Sequence, residues 1–259
     1  MANKHGEFIW YELMTRDPDA AKSFYDEVVG WNIGEQMPGD MDYRMIAAGE
    51  EYVGGVFGLT DDMCEQGARA AWLGYVGVDD VDATAAKLQE LGGSLLMPAM
   101  DLPDVGRIAM VADPQGVPFY IMRGAVEDGT STAFKPMANG HCSWNELTTS
   151  DQGSALSFYG QLFGWESKEA MSMGEAGEYK LLEHHGTQFG AISPLMNEGQ
   201  PSIWTYYFHV PDIEAAKGKV EARGGKIAYG PHEVPGGEYI IISADPEEVL
   251  FALVGPKRR

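Results

Sequence analysis

A long internal repeat constrains this chain more than any other feature. Gly6-Glu7-Phe8-Ile9-Trp10-Tyr11-Glu12-Leu13-Met14-Thr15-Arg16-Asp17 is answered 134 residues later by Gly140-His141-Cys142-Ser143-Trp144-Asn145-Glu146-Leu147-Thr148-Thr149-Ser150-Asp151, with Gly, Trp, Glu, Leu, Thr and Asp in register. Phe24-Tyr25 and Gly30-Trp31 return at the same offset as Phe158-Tyr159 and Gly164-Trp165. Farther along, Trp72, Gly92-Gly93, Asp113-Pro114 and Phe119 return as Trp204, Gly224-Gly225, Asp245-Pro246 and Phe251, now 132 residues on. Repetition of this length means copies of one structural unit. A chain of 259 residues then divides in two, and each half has the size at which a domain buries a core. The division predicted is a first domain over 1–124, a linker over 125–139 and a second domain over 140–259.

Each half reads as the same element order used twice. Residues 7–14 alternate and are rich in aromatic and β-branched types, which predicts a strand. Asp17-Pro18 starts a helix, with Asp as cap and Pro at the first helical position. Ala20, Ala21, Phe24, Tyr25 and Val28 give that helix an apolar stripe. Three short strands follow over 31–36, 42–47 and 51–58, the last two joined at Gly49-Glu50. A polar loop at 60–70 leads to a second β-α-β-β-β unit: a strand over 72–78, a helix from Asp80 to Gly92-Gly93, and strands over 94–98, 106–112 and 118–123. The fold class is therefore α+β, with two such units per half.

The net charge is −21, from 18 basic and 39 acidic residues. That balance argues against nucleic acid and against an anionic membrane as partners. Two cysteines, Cys64 and Cys142, stand at unrelated points of the repeat, so no disulfide framework or thiolate zinc site is expected. No apolar run follows Lys4 and none is long enough to cross a bilayer, so the expected location is the cytoplasm.

The pattern Trp-x-Glu-Leu-x-Thr-x-Asp, then Phe-Tyr, Gly-Trp, Tyr-Val-x-Val-Asp-Asp-Val-Asp-Ala, Gly-Gly, Gly-Arg and Asp-Pro-Gln-Gly resembles the vicinal oxygen chelate superfamily. Its members include glyoxalase I, bleomycin- and fosfomycin-resistance proteins and extradiol dioxygenases. The nearest likeness is to tandem two-domain glyoxalase-like proteins. The resemblance implies that two β-α-β-β-β units curl into a cup whose concave side holds a ligand. It also implies an intramolecular pseudo-dimer of the two domains, and leaves a homodimer open. In metal-dependent members a divalent ion is gripped from the first strand of a unit and from a closing strand. The matching positions here are Trp10 and Trp144, then Leu73 or Trp72 and Thr205 or Trp204, then Tyr120 and Ala252. None is a metal ligand, so no metal and no cofactor is expected.

The first reading is therefore a binding protein for a small, partly aromatic or apolar molecule. Trp10, Tyr75 and Tyr120 would wall the first cup, and Trp144 and Tyr207 the second. Glu12 and Glu146 lie two residues past the tryptophans, hence on the same face. A carboxylate on an inward face needs a partner or a use, either a structural hydrogen bond or a polar contact to ligand. The alternative is a glyoxalase-like lyase or isomerase with Glu12 or Glu146 as general base, metal-dependent or not. A third reading has the cups filled by side chains in an interaction protein. His209 is expected as a hydrogen-bonded surface or rim residue, or as a ligand contact. Arg107 is either a surface ion pair or an anchor for an acidic ligand. His184-His185-Gly186 reads as an exposed hairpin turn, and Cys142 as a small buried hydrophobe.

Overall fold

The computed structural model describes residues 3–126, 129–197 and 199–258. Glu127 and Asp128, part of the expected linker, lie outside the described residues. The first copy runs β1 (Phe8–Thr15), α1 (Pro18–Val28), β2 (Asn32–Ile33), β3 (Tyr43–Ala48), β4 (Glu51–Gly58), α2 (Asp61–Glu65), β5 (Ala71–Gly77), α3 (Val81–Glu90), β6 (Ser94–Leu102), β7 (Gly106–Ala112) and β8 (Pro118–Gly124). The second runs β9 (Cys142–Thr149), α4 (Gln152–Phe163), β10 (Glu166–Ser172), β11 (Glu178–His184), β12 (Thr187–Pro194), β13 (Ile203–His209), α5 (Ile213–Ala222), β14 (Lys226–Glu233), β15 (Tyr239–Ala244) and β16 (Leu250–Gly255). Each copy forms one mixed eight-stranded sheet, in the orders β2-β3-β4-β1-β5-β8-β7-β6 and β10-β11-β12-β9-β13-β16-β15-β14. The fold is α+β, as the repeat predicts.

Local chemistry explains the helix starts. The Asp17 carboxylate accepts from the Ala20 N–H at 2.9 Å, with Pro18 just inside the helix. Asp80, Asp151 and Asp212 cap α3, α4 and α5 in the same way. Each cap satisfies an N–H that the helix itself leaves open. The segment 60–70, expected as a loop, instead contains α2. Thr60 accepts from the Met63 N–H, and Asp61 and Asp62 stand in the first turn. None of its residues is buried, so the cap and the helix dipole hold it with no apolar stripe to betray it. The strand expected to stop at Pro98 continues to Leu102, and the one expected over 31–36 shrinks to two residues.

The chain gathers into two compact units, and each draws on both repeats. One unit holds the chain up to Ile9, Gly74–Ser131 and Trp144–Trp204; the other holds Trp10–Leu73, Thr132–Ser143 and the chain from Thr205 onward. In the first, Trp165 packs at 5.0 Å from Tyr159 and 5.6 Å from Phe8, and its indole donates to the Gly6 carbonyl at 2.8 Å. In the second, Trp31 lies 4.8 Å from Phe208 and donates to the Gly140 carbonyl at 2.6 Å. The repeated Gly and Gly-Trp are thus one bond used twice. A side chain at Gly6, whose φ is +89°, would sit 2.9 Å from the Phe163 carbonyl oxygen.

The repeated Phe-Tyr and Asp-Pro also meet. The Tyr25 hydroxyl donates to Asp245 at 3.0 Å and accepts from the Trp72 indole at 3.0 Å. In the other unit Tyr159 donates to Asp113 at 3.1 Å and accepts from the Trp204 indole at 3.1 Å. The other oxygen of each carboxylate accepts two turn N–H groups, from Glu247 and Val249 or from Gln115 and Val117. Burial pushes both aspartates above the ordinary carboxylate range, and holds the Tyr25 phenol well above its usual value.

The stretch expected as a linker is tied down along its second half. Cys142 N–H donates to the Ala133 carbonyl and Lys135 N–H to the Cys142 carbonyl, both at 3.0 Å. The His141 ring lies 2.7 Å from the Thr132 carbonyl.

Candidate functional site

Alternation in β1 sends Tyr11 and Leu13 into the core of their unit, where Tyr11 meets Tyr206 at 5.1 Å. Trp10, Glu12 and Met14 therefore point the other way. The Trp10 indole donates to the Tyr43 hydroxyl at 2.9 Å. Sheet register sets Met14 beside Phe57, and Phe57 beside Tyr43. Tyr43 lies over Gly55, where a side-chain Cβ would come within 2.1 Å of its hydroxyl. Glu12 is 4% exposed, while Trp10, Tyr43 and Phe57 are half-buried.

The second repeat builds the same group with different chemistry. The Trp144 indole donates to the Tyr179 hydroxyl at 2.7 Å, and that hydroxyl donates to Glu146 Oε2 at 2.8 Å. Ser193 Oγ donates to Glu146 Oε1 at 3.3 Å and lies 3.0 Å from Thr148 Oγ1. Burial and the Glu146 charge hold the Tyr179 phenol well above its usual value, so it stays protonated and donates. The result is a directed chain, N–H to O–H to carboxylate, with a hydroxyl at the other carboxylate oxygen. Trp144, Tyr179 and Glu146 are half-buried.

The remaining expected site residues fall into two further groups. Tyr75 and Tyr120 are register neighbours on β5 and β8 and stack at 4.3 Å and 19°. At the equivalent register Tyr207 stands beside Ala252. His209 was expected at a surface or rim; it is 5% exposed, with Nδ1 at 2.9 Å from Asn139 Oδ1 and Nε2 at 3.2 Å from Glu238. Arg107 takes the first of its two expected roles, a surface ion pair. Register pairs Met110 with Tyr120 and Arg107 with Arg123. Arg107 is three residues from Met110, so it points to the opposite face from Tyr120. There its guanidinium grips both oxygens of Asp82 at 2.7 and 2.9 Å and Asp101 at 3.0 Å. It is a surface ion pair and not part of the Tyr75–Tyr120 face.

Four residues that sequence reasoning passed over are Tyr43, Phe57, Tyr179 and Ser193. Both tyrosines lie near the start of the third strand of their repeat, which is the signal that could have found them. His185 and Gly186 form the exposed hairpin turn that was expected, while His184 is half-buried at the end of β11. His184 donates to the His5 carbonyl at 2.8 Å, and burial lowers its ring below the usual histidine value. Cys142 is fully buried.

The positions that hold a metal in the resembled enzymes carry other chemistry here. The indoles of Trp10 and Trp144 can only donate, and both do. Trp72 and Trp204 point into the cores and donate to Tyr25 and Tyr159. Leu73 and Ala252 carry no donor atom, and Tyr120 is stacked. Among the described residues no group of three or more His, Cys, Asp or Glu side chains could hold a metal ion. This donor set does not fit a divalent ion. A groove of about 240 Å³ opens at Asn32, Met45, Glu50 and Tyr52, and another of about 190 Å³ at Leu156, Lys168 and Lys180. Neither is lined by the Trp–Tyr–Glu groups. Among the described residues no helix is long and apolar enough to cross a membrane.

Comparison with known proteins places these groups in context. The model of the Glyoxalase/Bleomycin resistance protein/Dioxygenase superfamily matches residues 7–121 and again 140–253. A Mycobacterium tuberculosis protein named "Putative glyoxylase CFP32" is 30% identical over 249 residues, covering 95% of this chain and 94% of that protein. The "Anthracycline biosynthesis protein DauV" of Streptomyces sp. is 28% identical over 261 residues, covering 95% and 91%. Among solved structures, the Mn(II)-bound glyoxalase from Novosphingobium aromaticivorans superposes with a TM-score of 0.63 at 16% identity, covering 98% of this chain and 82% of that one. Homoprotocatechuate 2,3-dioxygenase from Brevibacterium fuscum gives 0.68 at 17% identity, covering 99% and 82%. At such identities these structures speak for the fold alone.

Proposed function

The chain belongs to the Glyoxalase/Bleomycin resistance protein/Dioxygenase superfamily, and from that premise we propose that it binds a small, partly aromatic molecule directly on side chains, without a metal. The observation that carries this reading is the Trp–Tyr pair repeated at the vacated ligand positions, Trp10 with Tyr43 and Trp144 with Tyr179. Half-buried aromatic walls suit a planar ligand, and Glu146 supplies an oriented acceptor. Both Glu146 oxygens already accept hydrogen bonds, which suits a fixed binding carboxylate. The relatives named for anthracycline biosynthesis add support, since an anthracycline is a fused-ring aromatic.

A second reading is favoured by the relative named a glyoxylase. Here Glu12 or Glu146 abstracts a proton beside a carbonyl. Calorimetric titration with umbelliferone, a phenolic coumarin, tests the first reading. Heat of binding that falls about tenfold in affinity on Trp144→Ala is expected. No binding heat in the wild type contradicts the binding reading. Turnover of a hemithioacetal that vanishes in Glu146→Gln while binding survives supports the second.

A further inference from the structure

The two Trp–Tyr groups are built at the same register, yet their neighbours differ in kind. Beside Trp10 and Tyr43, the paired positions on β1 and β4 are Met14 and Phe57. Beside Trp144 and Tyr179, the same paired positions on β9 and β12 are Thr148 and Ser193. Two apolar side chains in one repeat thus stand where two hydroxyls stand in the other. The hydroxyls are also engaged, Ser193 to Glu146 at 3.3 Å and to Thr148 at 3.0 Å. The Tyr43 ring lies 6.5 Å from the Phe57 ring.

We propose that Ser193 and Phe57 are specificity-determining residues that divide ligand chemistry between the repeats. The Glu146–Ser193–Thr148 face selects an aromatic ligand bearing a hydrogen-bond donor, such as a phenol. The Met14–Phe57 face takes an aromatic ligand with no donor. A carboxylate is common to both repeats, as Glu12 and Glu146, so the difference lies in the Thr148 and Ser193 hydroxyls, which can pair with a ligand O–H or N–H where Met14 and Phe57 cannot. A face lined by hydroxyls therefore rewards a ligand donor that an analogue without it does not offer. A Met–Phe wall has no such preference and penalises an unmatched donor.

This inference rests on the binding reading, and one experiment separates their failures. The full chain is titrated in a calorimeter with umbelliferone and with its methyl ether, which keeps the ring and loses the donor. Wild-type protein, Ser193→Ala, Ser193→Phe and Phe57→Ser are compared. The expected result is that Ser193→Phe weakens umbelliferone about tenfold and leaves the ether within about twofold. Ser193→Ala, which removes only the hydroxyl, shows a smaller loss in the same direction. Phe57→Ser weakens the ether and improves umbelliferone. If both probes bind but their affinity ratio is unchanged in Ser193→Ala and Phe57→Ser, the division of labour is overturned and the binding reading stands. If neither probe binds the wild type, both are overturned.

Discussion

The scaffold and the Trp–Tyr–Glu groups of this molecule treat the repeat in opposite ways. In the two compact cores the copies are near-duplicates. Trp72–Tyr25–Asp245 and Trp204–Tyr159–Asp113 use the same donors in the same order, at 3.0 to 3.1 Å. Away from these joints the copies diverge, at positions that are also mostly buried. Trp and Tyr persist, but Met14 and Phe57 become Thr148 and Ser193, and a Tyr75–Tyr120 stack becomes Tyr207 beside Ala252. Packing needs fix the first set, because a buried donor left unpaired is costly in either copy. The second set is free to vary once one copy suffices for a given ligand. The lesson is that a duplicated fold keeps its joints and spends its variation on one face.

Several perturbations would break or sharpen that contrast. The largest effect should come from Asp113→Ala or Asp245→Ala. Each removes an acceptor shared by a buried tyrosine and two turn N–H groups, and should cost about 3 kcal/mol. Urea unfolding should give similar losses for the two, and a large inequality would mean the joints are not equivalent. Next is Glu146→Gln, which should weaken umbelliferone about tenfold, while Glu12→Gln changes it little; equal effects in calorimetry would erase the proposed difference between the faces. Trp144→Phe and Trp10→Phe each lose one indole-to-tyrosine hydrogen bond. Each should cost about 1 kcal/mol of stability by the same unfolding assay.

A pH effect should follow from the joints. Burial raises Asp113 and Asp245 above the ordinary range, so the folded state takes up their protons at higher pH than the unfolded chain. Their contribution is smallest at neutral pH, grows as pH falls through the raised folded values toward about 3.9, and is then constant. The stability difference between wild type and Asp113→Asn should therefore shift in favour of wild type on acidification. A shift the other way in unfolding midpoints across pH would contradict the assigned cause. The smallest effect belongs to Arg107→Ala, which should leave ligand affinity unchanged because that guanidinium faces Asp82 and Asp101.

Much of the scaffold was legible in the sequence because it is written in local signals. The Asp caps, the apolar stripe of α1 and the β-α-β-β-β order needed only periodicity and turn chemistry. Glu146 on the Trp144 face followed from two-residue alternation. Tyr43, Tyr179, Phe57 and Ser193 were not found, since they join the first-strand residues only through pairing between strands. Tyr43 and Tyr179 also stand 136 positions apart, off the 134 spacing of the first strands, which hid their equivalence. The choice between the two roles of Arg107 needed its strand phase, which is set by pairing with β8 and not by its own neighbours. The mixing of the repeats within each compact unit rests on contacts over more than a hundred residues, such as Trp31 with Gly140, which no local pattern records.

The central claim is that a ligand is held here by side chains alone, at positions where metal-dependent relatives place an ion. The most direct test is calorimetric titration of the full chain with umbelliferone before and after exhaustive chelation of divalent metals. The account predicts the same affinity and stoichiometry in both. Binding that disappears on chelation and returns with added manganese, zinc, nickel or iron(II) would contradict it.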